Sequence, residues 1–180
     1  MRNRLREFLI AASRQSRSEM RSSMKIGILA VQGAFAEHEQ MLEQLGAEYI
    51  ELRKGEDVRQ SYDGLILPGG ESTVQGKLMR ELDMFDTIQS QIKNGMPVLA
   101  TCAGAILLAQ QLSNDAATHL ATLPAVVRRN AYGRQLGSFS VDEQIEGIGT
   151  FPMRFIRAPY IEKVLDDTKV LAKVDGNIVM

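Results

Sequence analysis

Apolar and polar positions along this chain follow two alternating periodicities. Lys25 to Gln32 (KIGILAVQ) is an almost unbroken apolar run, the pattern of a strand buried on both faces. Ala34 to Leu45 switches to helical spacing, which places Phe35, Met41, Leu42 and Leu45 on a buried side, and Gly46 ends the segment. Ala47 to Leu52 and Gly64 to Leu67 read as two further strands separated by a polar link. Met96 to Ala109 reads as a buried strand, a one-residue corner and a helix, with Cys102 where the apolar run ends and the helical run begins. Strands and helices alternating at this spacing predict an α/β fold with a mostly parallel sheet and right-handed crossovers. Near the C-terminus, Val170–Val174 and Asn177–Met180 flank Asp175-Gly176, the signal of a hairpin with a type I′ turn.

Composition narrows the class. The chain has 180 residues, 44% of them hydrophobic and 24% charged, with a net charge of −1, so it can bury one core and has no general affinity for polyanions. No apolar run reaches the roughly 20 residues that cross a bilayer, and neither a nucleic-acid nor a membrane partner is expected. A single cysteine rules out an internal disulfide and fits a reducing, cytoplasmic compartment. One cysteine and two separated histidines offer no metal-ligand cluster, so neither a metal nor another cofactor is expected. Residues 1–23 differ in kind, with six arginines, two glutamates and five serines giving a net +4 against −5 for the remainder. They read either as a transit peptide or as an extension upstream of a start at Met24, and residues 24–180 read as one domain.

The candidate chemistry sits where the sheet's strands end. Cys102 falls at a strand–corner–helix junction between the small residues Ala100 and Gly104, the setting of a nucleophile elbow, where helical N–H groups favour the thiolate. Leu67-Pro68-Gly69-Gly70-Glu71-Ser72-Thr73 follows another strand; its two glycines permit a tight turn with bare N–H groups, and Ser72 with Gln75 has the spacing of a capping box. One N–H from this loop, beside that of Ala103, would make a two-donor oxyanion hole for an intermediate on Cys102.

Five segments in order carry a resemblance: Ala30-Val31-Gln32-Gly33, the 67–73 loop, Thr101-Cys102-Ala103-Gly104, Arg129-Asn130-Ala131-Tyr132-Gly133-Arg134-Gln135 and Phe155-Ile156-Arg157-Ala158-Pro159. Together they resemble the glutaminase subunits of pyridoxal 5′-phosphate synthases, a family of class I (triad) glutamine amidotransferases. The resemblance runs from Met24 to Met180 and implies a three-layer, flavodoxin-like α/β fold. It implies that Cys102 is the nucleophile that forms a glutamyl thioester, with Gly70 and Ala103 as the oxyanion hole. It further implies that Gly70, Glu71, Ser72, Arg129, Ile156 and Arg157 hold L-glutamine, and that ammonia passes to a TIM-barrel synthase subunit in a hetero-oligomer for vitamin B6 synthesis.

Two departures accompany the resemblance. Ala100 stands where the family usually has glycine, a single added methyl at the elbow. The family's base and its orienting acid come from a His-Pro-Glu motif, which this sequence does not contain. Its only histidines are His38, between two glutamates on the first helix and expected on a solvated face, and His119 in a polar link. The absent motif reads as truncation, with the last strand and helix missing, and predicts activity near background. The sequence therefore supports a glutaminase subunit or, alternatively, a catalytically impaired synthase-binding remnant.

Overall fold

The computed structural model describes residues 24–131 and 138–180. The leader 1–23 and the Tyr132-Gly133-Arg134-Gln135 part of the fourth motif lie outside the described residues. Residues 24–180, read above as one domain, form two compact units that divide between Gly104 and Ala105.

The first unit is an α/β layer arrangement. Its sheet contains β1 (Lys25–Leu29), β2 (Glu48–Leu52), β3 (Gly64–Leu67) and β4 (Val98–Ala100), all parallel, in the order β2-β1-β3-β4. The connecting helices are α1 (Phe35–Leu45), α2 (Gly55–Val58), α3 (Ser72–Glu81) and α4 (Phe85–Lys93). Burial drives this arrangement: every residue of β3 is buried, as are Ile26, Ile28 and Leu29 of β1. The chain runs outward from β1 to β2, then crosses back over β1 to reach β3. That reversal opens a crevice beyond the carboxyl ends of β1 and β3, the place where open parallel sheets bind ligands.

Local details depart from the sequence expectations. β1 ends at Leu29 rather than Gln32, because the chain bends away and Gly33 adopts φ +100°. α1 starts at Phe35 and is closed by left-handed Gly46, whose N–H bonds back to Glu43 and Leu42. Its buried side is narrower than expected. Leu42 is buried and Phe35 packs against the cluster of Ile26, Ile28 and Ile66, but Met41 and Leu45 are 54% and 45% exposed. Phe35 and Leu42 are seven residues apart, two turns on one stripe, whereas Met41 and Leu45 lie on the flank of that stripe. The polar link between β2 and β3 contains the short helix α2.

The second unit carries α5 and a mixed sheet. α5 (Ala103–Leu108), whose first two residues belong to the first unit, has six residues and runs directly into β5 (Ala109–Leu112). The sheet order is β10-β11-β9-β6-β5, with β6 (Leu123–Arg128) parallel to β5 and antiparallel to β9 (Tyr160–Val164). The expectation of parallel pairing thus holds throughout the first sheet and not here. β7 (Phe139–Ile145) and β8 (Gly149–Phe155) form a separate antiparallel hairpin. β10 (Lys173–Val174) and β11 (Asn177–Ile178) are shorter than the predicted strands, but the turn between them has positive φ at both Asp175 (47°) and Gly176 (80°), as type I′ requires.

Candidate active site

Cys102 is exposed and sits at φ +48°, between the end of β4 and the start of α5. A non-glycine residue in this region is strained, and such strain collects at functional turns. Two hydrogen bonds hold the corner: Thr101 N–H donates to Leu67 O at 3.0 Å, and Gly104 N–H to Thr101 O at 2.8 Å. The double-glycine loop lies directly beside it. A Cβ built on Gly69 would stand 3.5 Å from the Cβ of Cys102.

The glycine loop is held from its far side by the turn after β1. Ala34 N–H donates to Gly69 O at 2.9 Å. In a trans peptide the carbonyl and the following N–H point in opposite directions, so this bond aims the Gly70 N–H away from the β1 turn. Gly33 is required for that approach, since a Cβ there would lie 2.0 Å from Gly69 O. Gly70, at φ +154°, would place a Cβ 2.6 Å from Gln32 Oε1.

The expected capping box is absent. Glu71, not Ser72, is the N-cap of α3, and its side chain makes no capping bond. Ser72 is 2% exposed and its Oγ has no hydrogen-bond partner among the described residues. Gln75 turns inward instead, donating from Nε2 to Gln32 O at 2.9 Å and Pro68 O at 3.3 Å. Burial explains the change: the two loop carbonyls need a donor inside the fold more than the helix end needs one near solvent. Glu71 is exposed, and its N–H donates to Gln32 Oε1 at 2.9 Å.

Arg129, Ile156 and Arg157 belong to the second unit. Arg129 is half-buried; its guanidinium pairs with Asp115, while its backbone exchanges two hydrogen bonds with the Asn114 side chain, at 3.1 and 2.9 Å. The Ala117 N–H and then Arg129 hold the Asp115 carboxyl below its ordinary range. Ile156, 66% exposed, and Arg157, at φ +47°, occupy the link between β8 and β9, where Ala158 is buried and accepts a bond from Ala131 N–H. Among the described residues no group of three His, Cys, Asp or Glu side chains could hold a metal ion, and no helix is long and apolar enough to cross a membrane.

The profile of the SNO glutamine amidotransferase family matches residues 28–180. The chain belongs to that family. It is 64% identical over 156 residues to the pyridoxal 5′-phosphate synthase subunit PdxT of Desulfitobacterium hafniense (strain DSM 10664 / DCB-2), covering 87% of this chain and 78% of that one. It is 54% identical over 159 residues to PdxT of Streptococcus pneumoniae (strain CGSP14), covering 87% and 82%. A crystal structure of a glutamine amidotransferase superposes with a TM-score of 0.80 at 42% identity, covering 86% of this chain and 82% of its own. The structure of PurLQS from Thermotoga maritima shares the fold, with a TM-score of 0.55 at 19% identity.

In this glutamine amidotransferase His38 is not on a solvated face. It is half-buried, and its Nε2 lies 3.4 Å from Thr101 Oγ1, one residue before Cys102. Burial lowers its pKa from the ordinary 6.5, against the opposing pull of Glu37. The signal was in the spacing: His38 is three residues after Phe35 and four before Leu42, on the buried stripe of α1. The flanking glutamates obscured it. Gln32 was legible only as the end of a strand and Gln75 only as a cap residue, because their partners are backbone carbonyls and amides distant in sequence.

Proposed function

We propose that this chain is the glutaminase subunit of a pyridoxal 5′-phosphate synthase, hydrolysing L-glutamine to L-glutamate and ammonia through Cys102. The supporting observation is an exposed thiol held at positive φ against a double-glycine loop. The thiolate attacks the side-chain amide carbon, and the oxygen that gains charge is received by the N–H groups of Gly70 and Ala103. The carbon–nitrogen bond then breaks, ammonia leaves with a proton taken from water, and the water's oxygen cleaves the thioester to glutamate, releasing the thiolate. Arg129 and Arg157 are the cations proposed to meet the substrate carboxylate, with Gly70, Glu71, Ser72 and Ile156 completing the glutamine site. Ammonia is delivered to a TIM-barrel synthase subunit in a hetero-oligomer, within a reducing, cytoplasmic compartment. The PdxT names of the relatives support this assignment.

The test combines the chain with its synthase subunit and measures glutamate release, alongside labelling of Cys102 by a chloroketone analogue of glutamine. Cys102→Ala is expected to abolish both, and an unchanged rate in that variant overturns the thioester route.

A further inference from the structure

Gln75 has no exposure at all, yet it is a polar side chain on the first turn of α3 with no charge to pair with. Burying an amide is costly unless it makes hydrogen bonds. Its Nε2 makes two, to Gln32 O in the turn after β1 and to Pro68 O at the start of the glycine loop, while its Oε1 is buried with no partner among the described residues. One planar amide thus joins the two loops that flank the crevice. A second glutamine crosses the same gap in the other direction, Gln32 Oε1 accepting the Glu71 N–H. Between them lies Gly70, and the space its missing side chain leaves is the space these amides occupy: a Cβ there would be 2.6 Å from Gln32 Oε1 and 3.0 Å from Gln75 Nε2.

We infer that Gln75 is a positioning residue for the oxyanion hole, fixing the glycine loop so that the Gly70 N–H stays aimed at the oxygen bound on Cys102. This rests on the glutaminase reading above. The Gly69–Gly70 peptide is free to rotate because both neighbours are glycine, and one state of it is selected by Ala34 N–H donating to Gly69 O. That bond holds only while the β1 turn and the glycine loop keep their separation. Gln75 sets the separation by bridging Gln32 O and Pro68 O, without touching substrate. A positioned donor to a developing oxyanion contributes roughly 10²- to 10³-fold to turnover, so loosening the peptide forfeits a large part of that factor.

The experiment compares two reagents on the full chain. A chloroketone analogue of glutamine reacts through attack on its carbonyl and needs the oxyanion hole; iodoacetamide reacts by direct displacement and does not. For Gln75→Leu the inference expects chloroketone labelling of Cys102 to slow by about 10- to 100-fold, with the iodoacetamide rate within about twofold of wild type. Gln75→Glu, whose carboxylate would face two carbonyl oxygens, is expected to show the same loss at neutral pH and to recover toward acid pH, where the protonated carboxyl can donate again. Equal slowing with both reagents means a merely structural role and overturns the inference, as does unchanged chloroketone labelling in both variants. Failure of the chloroketone to label wild-type Cys102 overturns the glutaminase reading and this inference together.

Discussion

Gly104→Ala is the most discriminating single change at the elbow, because two simple expectations for it have opposite signs. Helix propensity favours alanine over glycine in α5 by roughly 0.5–1 kcal/mol. Against this, an alanine Cβ would stand 2.1 Å from Leu67 O and 2.9 Å from both the carbonyl carbon and the Cβ of Leu67. Carbon–carbon contact distances are about 3.5–4.0 Å, so the turn and β3 must part by more than about 1 Å. Neither can move easily, since Leu67 is fully buried and its carbonyl also accepts Thr101 N–H at 3.0 Å. Overpacking of this kind costs about 1–3 kcal/mol and the weakened hydrogen bond about 1 more, so the clash outweighs the propensity gain by about 2 kcal/mol. In a domain of this size that lowers Tm by roughly 4–8 °C. Because the displaced atoms carry the Cys102 corner, chloroketone labelling should slow as well. Calorimetry and the labelling rate are the measurements; an alanine variant as stable as wild type, or more so, would refute the steric argument.

Two further predictions concern residues flanking the chemistry. His38 has a pKa below 6.5 in the folded protein, so the unfolded chain binds its proton first as pH falls. Stability is therefore full above pH 6.5 and declines as pH drops from 6.5 to the lower folded value. His38→Gln should remove that decline, so the difference between variant and wild type in urea titrations should change between pH 7 and pH 5, and a constant difference would count against it. Arg129→Ala should raise the KM for glutamine by about 10- to 100-fold, the worth of one charge-assisted contact, with a smaller effect on kcat. Steady-state kinetics with the synthase subunit checks this, and an unchanged KM would remove Arg129 from the glutamine site.

What the sequence determined is largely local or periodic. The buried run of β3, from Gly64 to Leu67, matches its predicted limits because a strand covered on both faces has no polar position to blur them. Asp175-Gly176 specified its turn because two consecutive positive φ angles suit few other pairs. The order of the motifs was enough to place the chain among the glutamine amidotransferases, whose profile it matches over residues 28–180. Tertiary structure decided the rest, wherever a side chain's partner is a backbone group remote in sequence. Ser72 and Gln75 have capping spacing, but one buried and one half-buried carbonyl compete for Gln75 and win, since an unpaired carbonyl inside costs more than an uncapped helix end in water. His38 has glutamate neighbours on the chain and Thr101 as its neighbour in space, and only packing of α1 against the sheet makes the second relation the one that counts. Met41 and Leu45 are apolar yet exposed for the same reason: the width of the covered stripe is set by what lies beneath the helix, which no periodicity encodes.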